Sequence, residues 1–291
     1  MSDSVKQMTV VSGKGGTGKT SVLASFAALA ENKVIADCDV DASNLYLIMH
    51  PDDHDTGGFM GAKIVVRDEN LCARCGICED TCRFDAITAN STDELACEGC
   101  GACVLTCPTD ALVLKPIEVG NWFIGMSEHG PMAHARLHPA GESSGRLVTL
   151  VRQKAEDLAY ANNLGLILID GPPGLGCTTT AALADVDLAL IVTEPSLSGM
   201  HDMERQVQLI KHFALAAAVI INKWALNVEN SAQLRRYCGD QDLPVLGEIP
   251  FDSTVTDALA AQTSVVEYSD GPASQAIREA WTRTAELLAR V

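Results

Sequence analysis

Residues 13–20 read GKGGTGKT, and Gly13, Gly18, Lys19 and Thr20 complete the pattern G-x-x-x-x-G-K-[ST]. This octapeptide constrains the fold more than any other stretch, because it works only between a strand and a helix. Its backbone N–H groups must converge on an anion at the helix N-terminus. The flanks supply both elements: MTVVS (8–12) is a short β-rich run, and TSVLASFAALAEN (20–32) has the spacing of a buried helix. Farther on, LGLILID (164–170), LALIVTE (188–194) and AAVIINK (217–223) are continuous apolar runs separated by helix-like stretches. Such runs indicate a parallel sheet covered on both faces, so the expected class is α/β: a P-loop NTPase sheet with helices on both sides. N–H groups from Lys14 through Gly15, Gly16, Thr17 and Gly18 to Thr20, with Ser21 next in line, can surround phosphates. Lys19 can reach the β and γ oxygens of ATP or ADP, and the Thr20 hydroxyl can ligate Mg²⁺. Lys14 is a second lysine at the mouth of the loop, beyond what the motif requires.

Between about 62 and 115 the α/β pattern gives way to short pieces dense in cysteine, then returns. CARCGICEDTCRFDAI (72–87) and CEGCGACVLTCPTDAL (97–112) repeat with a period of 25. They superpose at all four cysteines, at Gly76 and Gly101, at Thr81 and Thr106, and at Asp85-Ala86 and Asp110-Ala111. Each half is C-x₂-C-x₂-C-x₃-C, in which three thiolates bind one cubane cluster and the fourth reaches across to the other. Cys72, Cys75, Cys78 and Cys107 are thus expected on one [4Fe-4S] cluster, and Cys97, Cys100, Cys103 and Cys82 on a second. Paired structural zinc sites are the alternative, but they want cysteine pairs separated by a longer loop. The stretch looks like a bacterial two-cluster ferredoxin, departing from it at Arg83, where proline is usual and Pro108 stands in the second half. The expected organisation is a nucleotide domain of residues 1–61 and 116–291, interrupted by a ferredoxin-like iron–sulfur insert, 62–115.

Composition narrows the setting. The 291 residues carry a formal charge of −17 and include eleven cysteines. A chain this acidic, with no local Lys/Arg cluster, repels a phosphate backbone, which argues against nucleic acid as a partner. No run approaches the roughly 18 apolar residues of a membrane span. MSDSVKQMTVVSGKGG leaves no room for a charged and then apolar leader before the first strand, so a cytoplasmic location is expected, where thiols are reduced and serve metals. From Arg67 to Lys115 there are 4 basic and 9 acidic residues, a formal −5, which predicts a basic docking surface on whatever partner meets the insert.

Two further segments, ADCDVDASNL (36–45) and ILIDGPPGLGC (167–177), have the places of nucleotide switches, with Asp170 ending a buried strand as a Walker B carboxylate does. With the loop at 13–20, they make the chain resemble the MinD/Mrp group of deviant Walker A ATPases, in the subgroup with an inserted ferredoxin domain. The likeness covers nearly the whole chain. It implies that Asp39 positions the attacking water, Asp170 holds the Mg²⁺ shell, Asn222 reads the adenine, and IPFD (249–252), with Pro250, flanks the base. Asp41 and Asn44 would shape the first switch. It also implies a homodimer closed on ATP, with Lys14 of each chain crossing to the partner's phosphates. The resulting ATPase would be slow and stimulated by its dimer or its partner, and would couple nucleotide closure to electron transfer or to metal-cofactor or iron–sulfur assembly. Small proteins resembling nitrogenase-cofactor-binding proteins are the partner that the subgroup suggests. A positional or cell-division regulator of MinD type, whose clusters sense redox state, is the alternative. A passive carrier is disfavoured because Lys19, Thr20, Asp39 and Asp170 are all present.

Three smaller features complete the reading. Cys177 stands where the nitrogenase iron protein, a relative of this family, has a cluster ligand, but with no second cysteine nearby it is expected to be a buried structural thiol. His129, His134 and His138 in SEHGPMAHARLHP lack metal-site spacing and are expected in loop and surface roles. In the C-terminal SQAIREAWTRTAELLARV, Ile277, Trp281, Leu288 and Val291 share one helical face, which reads as a core-packing helix, not a membrane tail.

Overall fold

The computed structural model describes residues 5–139, 141 and 144–291, so the first four residues of the N-terminal stretch read above lie outside it. Strand β1 (Lys6–Ser12) enters helix α1 (Lys19–Leu29); β2 (Lys33–Asp37) and a short helix α2 (Tyr46–Met49) then lead to the long strand β3 (Asp52–Arg67). One-turn helices α3 (Ile77–Thr81) and α4 (Ala102–Thr106) precede a second long strand, β4 (Leu112–Ser127), which turns through Glu128 and His129 into β5 (Gly130–Leu137). The chain then alternates through α5 (Gly145–Asn162), β6 (Leu166–Pro173), α6 (Cys177–Leu183), β7 (Leu188–Thr193), α7 (Leu197–His212), β8 (Ala216–Asn222), α8 (Val228–Asp240) and β9 (Val245–Ile249). It ends in α9 (Thr254–Ala260), α10 (Val265–Tyr268) and α11 (Pro272–Leu288).

The nine strands form one sheet in the order β3-β4-β5-β2-β6-β1-β7-β8-β9. β1 pairs in parallel with β6 and β7, β2 with β5 and β6, and β8 with β7 and β9. Side chains of a strand alternate between faces, and here both faces are apolar. Met8, Val10, Leu188, Leu190, Val192 and Ile220 pack with α1, α10 and α11 on one side. Val11, Ala189, Ile191, Val219 and Ile221 pack with α7 and α8 on the other. The expected α/β class, a largely parallel sheet between two helical layers, is therefore the observed one.

The C-terminal helix behaves as expected: Ile277, Ala280, Thr284 and Leu288 are buried, and the Trp281 ring lies 5.0 Å from that of Phe26 on α1. Val291 does not share that burial; it follows the helix and is exposed. The surface role expected for His134 is also overturned. The segment forms β5, and His134 is fully buried, stacked between Tyr46 and Phe123 at 5.5 and 5.0 Å, with Nε2 2.9 Å from Asp53 Oδ1. Burial outweighs the Asp53 partner and holds its pKa below the ordinary histidine value.

The chain divides into two compact units. The first comprises Met1–Thr56, Trp122–Arg136 and Ser144–Val291, and the second Gly57–Asn121 with Leu137–Ser143. β3 and β4 belong partly to each. No helix among the described residues is long and apolar enough to cross a membrane.

Candidate functional site

The loop between β1 and α1 is held from beneath by close backbone contacts. A Cβ on Gly13 would fall 2.2 Å from Asp202 Cβ on α7, so a side chain there would displace a helix. Gly18 has φ +92°, and a Cβ there would meet Asn222 Nδ2 at 2.2 Å. That amide donates 2.7 Å to Thr17 O, and Lys223 Nζ donates 2.8 Å to Gly16 O. The end of β8 thus anchors the loop carbonyls, which leaves the N–H groups at the start of α1 facing a cleft of about 590 Å³. Gly15 to Ser21, Asp39, Asn44 and Asn222 line it, while Val255 and Leu259 of α9, with Thr256 between them, supply a largely apolar wall. Pro250 and Gly13 are not among the lining residues; Gly13 serves the packing below the loop.

Charge is concentrated at the loop's inner end. Lys19 Nζ is buried and lies 2.6 Å from Asp170 Oδ1 and 3.2 Å from Asp39 Oδ2, and the Thr20 hydroxyl donates 2.8 Å to Asp170 Oδ2. Burial pulls the Lys19 pKa down, but Asp170 and Asp39 outweigh it and hold the ammonium above its ordinary value. Asp39 is raised, chiefly by burial, against the opposing pull of Lys19, and its Oδ1 has no hydrogen-bond partner. These are groups that a phosphate-bound Mg²⁺ can engage: one carboxylate already on the Thr20 hydroxyl and another with a buried, unsatisfied oxygen.

Sequence reasoning overlooked Asp37. It is fully buried at the end of β2, in register with Asp170 on β6, and burial followed by repulsion from Asp170 pushes its carboxyl up to about 7. Asp37 accepts from Ser43 Oγ at 2.7 Å and from the N–H groups of Asp39 and Leu45 at 3.2 and 3.3 Å. It is the residue that folds the 36–45 segment around itself. The signal was the D-x-D spacing of ADCD, in which only the second aspartate was given a task.

Lys14 sits apart from the inner charges. Its Nζ pairs with Glu194 Oε1 at 2.7 Å and donates to Ser198 and Ser196 at 3.0 and 3.2 Å. Glu194 also pairs with Lys223 at 3.1 Å. Burial pushes the Glu194 carboxyl up, but the two lysines outweigh it and hold it below its usual range. Neither Glu194, the last residue of LALIVTE, nor Lys223 of VIINK was singled out from the sequence.

In the second unit the repeat is structural as well as sequential. Gly76 and Gly101 have φ +81° and +78°, Asp85 and Asp110 both have φ +52°, and the hydroxyls of Thr81 and Thr106 meet at 3.3 Å. Cys82 and Cys107 share one backbone conformation (φ −81°, ψ 112° and φ −72°, ψ 115°), so Arg83 leaves the turn as Pro108 does. Cys72, Cys75 and Cys78 line one cavity together with Cys107 from the other half. Backbone N–H groups are aimed at sulfur: Ala111 N lies 3.3 Å from Cys107 Sγ, and Val65 N 3.5 Å from Cys97 Sγ. Backbone donors, that of Thr109 foremost, hold the Cys107 thiol below its ordinary pKa, whereas burial raises that of Cys103. Among the described residues no three His, Cys, Asp or Glu side chains converge on a single-ion site. Cys177, expected to be buried, is exposed, because it opens α6 from the loop that follows β6 rather than facing the sheet.

A Gly-rich loop clamped from β8, a buried lysine and carboxylates in register on adjacent parallel strands define a P-loop nucleotide-binding protein. The chain belongs to the CobQ/CobB/MinD/ParA nucleotide binding domain family, which it matches over residues 8–265. An uncharacterised protein of Methanocaldococcus jannaschii is 32% identical over 288 residues, covering 98% of both chains. An iron-sulfur cluster carrier protein of Deinococcus radiodurans is 28% identical over 182 residues; the match takes in 57% of this chain and about half (49%) of that relative. Among solved structures, the septum site-determining protein MinD of Pyrococcus horikoshii, complexed with Mg-ADP, superposes with a TM-score of 0.60 over 99% of this chain and 100% of that one, at 20% identity. The likeness to it is one of fold.

Proposed function

We propose that the chain is an ATP-hydrolysing iron–sulfur protein in which a nucleotide-dependent dimer is coupled to electron transfer, or to metal-cofactor or iron–sulfur assembly, on a partner protein. The observation that carries this reading is the cavity whose walls hold Cys72, Cys75, Cys78 and, from the other half of the repeat, Cys107. That grouping supports the exchange of fourth ligands expected of two cubane clusters. The N–H groups aimed at Cys97 and Cys107 suit it too, since hydrogen bonds to cluster sulfurs are a usual means of setting potential. The clusters would supply one-electron capacity; the chain supplies thiolates, amide donors and the acidic surface around them.

In the nucleotide unit, Lys19 and the loop amides bind the phosphates and Thr20 with Asp170 holds Mg²⁺. Asp39, the carboxylate with a buried free oxygen, orients the attacking water. Lys14 leaves Glu194 to serve the phosphates of a second copy of the chain, so hydrolysis waits on assembly. The insert, residues 62–115 by sequence, is the part that meets the redox or cofactor-binding partner.

Anaerobically purified protein is expected to hold close to eight irons per chain with matching acid-labile sulfide, and its EPR spectrum or midpoint potentials are expected to change with ATP. Two zincs and no sulfide would remove the cluster reading. Clusters present but indifferent to nucleotide would instead favour a positional regulator. An anaerobic pull-down with Asp39→Ala and ATP is the experiment that captures the partner.

A further inference from the structure

The two halves of the cysteine repeat are matched in backbone and mismatched in charge. Arg67 stands five residues before Cys72; its counterpart 25 residues on, five before Cys97, is Thr92. The Arg67 side chain is only 4% exposed and lines the cavity of Cys72, Cys75, Cys78 and Cys107. Its Nη1 donates 2.9 Å to Ala89 O and its Nη2 donates to Thr88 O, which fixes the guanidinium plane. Nε is buried and has no hydrogen-bond partner. A buried N–H left unsatisfied is costly, so one on a side chain that lines a cavity of thiols calls for an acceptor there. The nearest carboxylate, Glu69, is 3.9 Å from Nη1 and largely exposed, so water screens its compensation. Arg74, also at this cavity, is 66% exposed and paired with Glu69, and its charge is screened likewise. In the other half, the position matching Arg67 holds no cation.

We propose that Arg67 is a potential-setting residue for the cluster held by Cys72, Cys75, Cys78 and Cys107: its Nε–H donates to that cluster's sulfur, and its buried charge makes this the more easily reduced of the two. This rests on the iron–sulfur reading above. Reduction adds one negative charge to a cluster, and a buried cation with a donor to sulfur stabilises that added charge. One electron taken from a one-electron reductant, which is oxidised by one unit, therefore resides on the cluster beside Arg67 before the second cluster fills. The insert is thus a directed pair, with the Cys97 half the stronger reductant.

The test is an EPR-monitored redox titration of the full chain, purified anaerobically and first assayed for iron and sulfide. Wild type is expected to show two resolved midpoint potentials. Cys72→Ser, which damages the cluster beside Arg67, is expected to remove the higher one and leave about half the iron. Arg67→Gln is expected to lower the higher potential so that the share of the first electron on that cluster falls at least tenfold, which is about 59 mV for one electron, with the lower potential unmoved. Arg67→Lys keeps charge without the planar fork and is expected to give a smaller drop; it also serves if Arg67→Gln fails to load iron. Two potentials that do not separate, or a higher potential that ignores both Arg67 variants or belongs to the Cys97 half, would overturn the inference while the iron content leaves the cluster reading standing. Absence of iron and sulfide from wild type would remove both.

Discussion

The two units of this chain obtain their order by different means. The nucleotide unit buries apolar side chains on both faces of its sheet, from Met8, Val10, Phe26 and Ile35 on one side to Val11, Ile191, Val207 and Ile221 on the other. The cysteine unit has about seventy residues; among those described, one apolar cluster is built on Val65, Ile87, Cys103 and Leu112, with Val104, Leu114 and the thiols of Cys78, Cys82, Cys97 and Cys107 packed around them, and Phe59, Ile64, Ala86, Ala111 and Val119 are buried as well. A unit of that size buries a smaller share of its surface than the large one and gains more from cross-links or metal. On the cluster reading proposed above, sulfur ligation in the small unit would stand where a hydrophobic core stands in the large one, and Leu95, Leu105 and Phe84 are left exposed there.

The largest effect expected from this contrast is on removing iron. Stripping the clusters anaerobically is expected to abolish amide-exchange protection through residues 68–111 while leaving that of β1, β6, β7 and β8 in place. A chain lacking 62–115, closed by a short linker, is expected to bind ATP still. Loss of protection in both units on iron removal would break the comparison.

Next in size is a pair of active-site changes confined to the nucleotide unit. Asp39→Ala is expected to lower ATP turnover by about 10²–10⁴-fold with binding retained and iron content unchanged. Lys14→Ala is expected to be inactive for a different reason, and mixing the two variants is expected to return roughly a quarter of wild-type activity, because half of randomly mixed dimers carry one site with both groups intact. No recovery between chains shown by tagged co-purification to exchange would show that Lys14 acts within its own chain.

Ile277→Ala sharpens the comparison from the packing side. Ile277 is buried in the α1–α11 layer, and its truncation is expected to cost about 2–5 kcal/mol, read as a lower Tm of the nucleotide unit with the cluster absorbance unaltered. The smallest effect is expected at Asp37. Its folded value of about 7 against the ordinary 3.8 means that the folded chain binds this proton more tightly than the unfolded chain, so stability falls as pH rises from about 4 to 7. Nucleotide-free Asp37→Asn is therefore expected to gain a few degrees in Tm over wild type at pH 8 and nothing at pH 4, measured by calorimetry. An equal gain at both values would assign the effect to packing.

The central strands were legible because parallel strands buried on both faces leave continuous apolar runs, as in LILID and LALIV. β3, β4 and β5 were not. DDHDTGGFMGAK mixes charge and glycine without a sustained period of two, and the burial of His134 depends on Phe123 from the preceding strand and on Tyr46, which arrives from a distant part of the chain. At the site, the motif gave Lys19 and Thr20 directly, and Asp170 could be read from the end of a buried strand. Asp37 escaped although D-x-D marked it, because its partners, the Ser43 hydroxyl and two backbone N–H groups, form only when the segment folds. Cys177 was misjudged because the general burial of free thiols says nothing about a residue that begins a helix from a loop.

The contact of Trp281 with Phe26 also has a meaning in time. A ribosome adding about 5–20 residues per second delivers Trp281 roughly 13–50 s after Phe26 has been made, so the phosphate-loop helix waits for its covering layer until the chain is almost complete. β1 likewise waits for β6 and β7, its neighbours in the sheet. All eight repeat cysteines, the last of them Cys107, have been synthesised long before then. In the order of synthesis the cysteine repeat is complete while the sheet of the nucleotide unit still lacks β6 to β9.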